Sequence, residues 1–221
     1  MTKAGSPTQG RVTSDWAGLF PEFDVWRPMR LLRRIGPVVQ GITLDRSTAG
    51  DGYFPTVHVH ALTREFPVVS LMLGQRLIGA SGLPVSIDLP RHEEAFRDAA
   101  LELANQSRLP LHKTPSVQEI VGAYHSFTLE QQLKGLAPAV LEMEDSVLIS
   151  AAAGIPSLVE SSLALASELA TSWPKARLPL WWEGAQNWLD GLTDKASDVE
   201  SLSAITESQI LKHKLAKVRA A

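Results

Sequence analysis

Two histidines one residue apart, His58 and His60 in GYFPTVHVHALTRE (residues 52–65), are followed by Glu65, and this spacing can serve metal chemistry. Side chains on a β-strand alternate between faces, so the two imidazoles share one face about 6 to 7 Å apart. Imidazole nitrogens at that spacing can grip one divalent ion, with a carboxylate and water completing a hard or borderline ligand set. Glu65 is the ligand expected from the same stretch, and Asp88 and His92 are alternatives; Asp45 is expected on the same face. A plainer reading of the alternation needs no ion: Val57, Val59 and Ala61 enter the core while the histidines occupy a half-exposed polar face.

Gly52, His58-Val59-His60 and Glu65, with Gly74 beyond, resemble the first metal motif of cupins over residues 52–74. That resemblance implies iron, manganese, nickel or zinc held by His58, His60 and Glu65. It also implies a double-sheet barrel of about eight strands and a second motif carrying a fourth ligand histidine. The strand signals of this sequence end near residue 89, and His92 stands at a helix start.

Other catalytic patterns are missing. His92-Glu93-Glu94-Ala95-Phe96 opens like the helical zinc motif HExxH, but Phe96 stands where the second histidine is needed. GxSxG, GxGxxG and GxxxxGK[ST] do not occur. His112, His125 and His213 fall on separate elements and read as structural or solvent-facing. Glu142, Glu144 and Asp145 in LEMEDS read as a solvated helix face. Arg27, Arg30, Arg33 and Arg34 beside Trp26 read as a charged strand face or edge. A net charge of −3 argues against nucleic acid as a partner.

The aromatic segment LPLWWEGAQNWLDGL supplies the other candidate. On a helix near residues 180–192, Trp181, Trp188 and Leu189 form one apolar stripe, and Trp182 is turned about 100° away. Core anchoring accounts for the stripe. A protein partner meeting Trp181, Trp182 and Trp188 is the sharper reading, because tryptophan is enriched at binding hot spots.

The elements that must position these groups follow from patterning. Residues 1–13 lack an apolar period and read as a flexible arm. Residues 14–90 read as an aromatic anchor followed by about five short strands, whose brief connections favour an antiparallel meander. Residues 91–221 read as about six helices packed on that sheet as one domain, with capping boxes at Ser116/Glu119, Thr128/Gln131 and Ser157/Glu160. The fold class is therefore α+β. The chain has no cysteine, which removes disulfides and thiolate chemistry. It also lacks the roughly 18 uninterrupted apolar residues that suggest a membrane span. A non-catalytic cytoplasmic interaction or accessory protein without a cofactor is the leading expectation; a metal-binding protein or metal-dependent enzyme built on His58 and His60 is the alternative.

Overall fold

Strand alternation and helix caps decide the architecture seen in the computed structural model, which describes residues 7–221. Strands β1 (Asp24–Arg27), β2 (Arg30–Ile35), β3 (Val38–Arg46), β4 (Gly52–Ala61) and β5 (Met72–Arg76) pair in chain order as an antiparallel meander. The two-residue β6 (Ile87–Asp88) also pairs with β4, through Gly52 and Tyr53. Helix α1 (Gln9–Leu19) precedes the sheet; α2 (His92–Gln106), α3 (Val117–Leu133), α4 (Val140–Ala152), α5 (Pro156–Ser172), α6 (Ala185–Ser197) and α7 (Val199–Lys212) follow it. The expected α+β order of sheet then helices is present.

Several boundaries differ from expectation for local reasons. Helix α1 begins inside the stretch expected to be an arm, because the Thr8 hydroxyl accepts from the Arg11 amide as an N-cap. Residues 1–6 lie outside the described residues. The Ser116/Glu119 capping box starts α3. Thr128 instead lies inside α3, where its hydroxyl bonds back to the Tyr124 carbonyl. Ser157 falls in the first turn of α5, which opens on Pro156.

One sheet face packs on helices as expected. Val57, Ile42, Leu44 and Ile87 meet Trp16 of α1 and Phe96, Ala100 and Leu103 of α2, while Val59, Val38 and Ile35 meet Ile120, Val121 and Tyr124 of α3. The opposite face, expected to be half-exposed, is also buried. Leu215 and Val218, beyond α7, pack on Trp26, Leu32, Val39 and Leu62. The Trp26 indole donates to the His213 carbonyl at 3.0 Å, and residues 219 and 221 bond to the Arg34 backbone. The chain therefore closes over the sheet's second face.

The arginine run is likewise built in rather than displayed along its length. Arg33 is buried, donates to Gln40 and to the Pro110 carbonyl, and lies 4.4 Å over the Phe23 ring. Arg34 donates to the Val218 carbonyl at 2.9 Å. The expectation of a solvated charged face fails at Arg33 because a helix layer covers its side of β2.

Candidate functional site

His58 and His60 do share one face of β4, and both are buried rather than half-exposed. Their register explains it. His58 pairs with Gly41 on β3, and a Cβ built on Gly41 would lie 2.2 Å from the His58 Nε2. The ring thus occupies space that only a glycine leaves free. His58 Nε2 and the Thr43 hydroxyl are 3.1 Å apart, and His58 Nδ1 has no hydrogen-bond partner among the described residues.

His60 Nδ1 accepts the Ser70 amide at 3.1 Å, which leaves the ring proton on Nε2. The His60 ring stands edge-on to His213, with centroids 5.6 Å apart. Burial pushes His58 down to about 3, helped by His60 and Arg30, and pushes His60 down to about 4, helped by His213 and Arg64. Both rings are therefore neutral near pH 7.

Glu65 is exposed on the loop after β4. Among the described residues no group of three or more His, Asp or Glu side chains is arranged to hold a metal ion. The alternative ligand His92 belongs to the other sheet face: its Nδ1 meets the Tyr53 hydroxyl at 2.7 Å, and its Nε2 meets Asp15 at 3.0 Å. Trp16 Nε1 donates to that same hydroxyl at 3.0 Å. This Asp15-His92-Tyr53-Trp16 chain has the order of a proton relay, yet Trp16, Tyr53 and His92 are all fully buried. Its residues tie α1, β4 and α2 together. The six-stranded sheet is also unlike the double-sheet barrel that the cupin resemblance implies.

The acidic run LEMEDS departs further from expectation. Asp145 is fully buried and Glu144 nearly so. Helix α4 is enclosed along Met143–Ala151, so Glu144 and Asp145 meet a half-buried arginine instead of water. Arg64, from the end of β4, reaches Asp145 Oδ1 at 2.8 Å and Glu144 Oε2 at 3.5 Å. Two carboxylates thus share one guanidinium, and Asp145 Oδ2 has no hydrogen-bond partner among the described residues. Burial pushes Asp145 up to about 7; Glu142 and Glu144 add to that, while Arg64 opposes it. The signal available in the sequence was the company the acids keep, between Val140 and the apolar run from Val147 to Ile149.

This cluster joins the tryptophans through one bond: Trp188 Nε1 donates to Glu144 Oε1 at 2.8 Å. Trp173, Trp182 and Trp188 pack with ring centroids 5.2 to 5.5 Å apart, and Trp181 adjoins Trp182 at 6.4 Å. The expected helix from residue 180 starts only at Ala185. Pro179 and Gly184, the latter at φ 140°, break the pattern, and the Trp182 amide closes a turn on the Pro179 carbonyl. That turn reverses the expected roles. Trp182 packs inward, while Trp181 is 54% exposed beside a fully exposed Leu180.

A cavity of about 170 Å³ opens between Trp181, Trp182, Trp188, Glu144, Glu183 and Lys195. A second, of about 450 Å³, is lined by Arg64, Glu65, Asp198, Leu202 and again Lys195. The structure therefore brings Trp181, Trp182 and Trp188 together and leaves Glu65 apart from the histidine pair. Compared with known proteins, the chain matches no family model, no curated protein and no solved structure.

Proposed function

We propose that this chain is a non-catalytic binding protein that engages a protein partner through Trp181 and the tryptophans behind it. The observation that carries this reading is the pairing of an exposed Trp181 and Leu180 with a packed base of Trp173, Trp182 and Trp188. Tryptophan on a firm base offers large contact area at little entropic cost, the character of an interface hot spot. Exposed apolar side chains placed side by side beside a cavity form a patch of the kind that marks contact surfaces. The cytoplasm is the compartment assigned in this reading, in keeping with a sequence that has no cysteine.

Affinity capture with the full chain tests it. Wild type retains a specific protein partner, and Trp181→Ala, which cuts away exposed surface, reduces its recovery about tenfold, in the range of a hot-spot loss. Recovery of the same partner at the same level by both proteins overturns the proposal.

A further inference from the structure

The cavity beside Trp181 has a charge pattern as well as an apolar wall. Three of the nine residues lining it are tryptophans, and two others, Glu144 and Glu183, are carboxylates set against the ammonium of Lys195. Glu144 is held at depth by the Trp188 indole, with its side chain only 9% exposed. The Arg64 guanidinium stands 3.5 Å from it and is shared with Asp145 at 2.8 Å. At the tryptophan-lined space itself, Glu144 at depth and Glu183 at the mouth outnumber Lys195.

Indole faces attract ammonium groups through the ring quadrupole, most strongly where the cation is stripped of water. The cavity, about 170 Å³, is comparable with the engineered cavity of about 150 Å³ that accepts benzene, so it has room for an alkylammonium head. We infer that the Trp181, Trp182, Trp188 and Glu144 cavity takes the ammonium group of a lysine side chain, plain or methylated, on the protein partner. The inference rests on the binding reading above and names the chemistry that its surface recognises. Glu183, at the exposed mouth, guides the cation inward, and Lys195 at the rim opposes its entry.

The test is a tryptophan-fluorescence titration of the full chain with three probes: Nα-acetyl-lysine amide, its Nε-trimethyl form, and the neutral Nε-acetyl form. The ammonium probes bind saturably, and the neutral probe binds about tenfold more weakly. Glu183→Gln weakens the ammonium probes, while Lys195→Gln tightens them by removing the opposing charge. Glu144→Gln also weakens them, and Glu183→Gln carries the test if that buried substitution unfolds the chain.

Equal binding of charged and neutral probes overturns the inference, as does saturable binding of none or weaker ammonium binding in Lys195→Gln. Preference for phosphatidylcholine vesicles over the peptide-like probes, or for a neutral methyl glucoside, also overturns it. If the ammonium probes fail while Trp181→Ala still loses the captured partner, the lysine inference alone falls; if both fail, the binding reading falls with it.

Discussion

Trp188 Nε1 donates to Glu144 Oε1 at 2.8 Å, so the aromatic end of the molecule is bonded directly to its buried charge cluster. A hydrogen bond to a charged acceptor is worth about 1.5 to 3 kcal/mol, against roughly 1 for a neutral pair. Trp188→Phe keeps much of the ring and removes the donor. It is expected to lower stability by about 2 kcal/mol in urea unfolding, and by less in a Glu144→Gln background. Equal costs in the two backgrounds would show that the carboxylate's charge adds nothing to the bond.

Gly41 and His58 define the second buried relationship. A methyl group at Gly41 would lie 2.2 Å from His58 Nε2 and 2.6 Å from Leu32 Cδ2, both closer than atoms can sit. Gly41→Ala is expected to cost about 1 to 3 kcal/mol as an overpacked core. The penalty falls in a His58→Ala background, where one of the two obstacles is gone. Chemical denaturation of both single variants and the double variant measures this directly.

The histidines and Asp145 give stability opposing pH dependences. His58 and His60 fold with values of about 3 and about 4, below the ordinary 6.5, so between those limits the unfolded chain binds more protons. Their contribution is complete above pH 6.5 and is lost as pH falls, at about 1.4 kcal/mol per pH unit for each ring. Asp145, raised from 3.8 to about 7, does the reverse: its contribution is present at low pH and is lost as pH rises through that window. From pH 4 to 6.5 two rings outweigh one carboxyl, and stability rises with pH. Asp145→Asn should steepen that rise, and His60→Gln should flatten it. Urea midpoints at pH 4.5 and 6.5 for the three proteins check the order, and parallel slopes would contradict it.

Period and punctuation made the meander legible, because Val57 and Val59 alternate with His58 and His60 and the connections are short. The same alternation could not show that residues 215–218 would return to cover the histidine face, since that contact joins distant parts of the chain. The tryptophan segment was legible by composition, yet its geometry turned on Pro179 and Gly184, which hold Trp181 and Trp182 in a turn ahead of the helix that starts at Ala185. Asp145 was missed for a related reason. A carboxylate beside apolar neighbours looks solvated until its partner is known, and Arg64 lies far away in sequence.

The most direct measurement is site-specific photo-crosslinking in the source cells, with a photoreactive phenylalanine analogue at position 181 and, as control, at exposed Leu101 on α2. Trp181→Ala first establishes that the position tolerates change, with stability expected within about 0.5 kcal/mol of wild type. A discrete crosslinked partner from position 181, absent from position 101, is the expected result. No crosslinked species from 181, or the same species from both positions, would contradict a partner surface at Trp181.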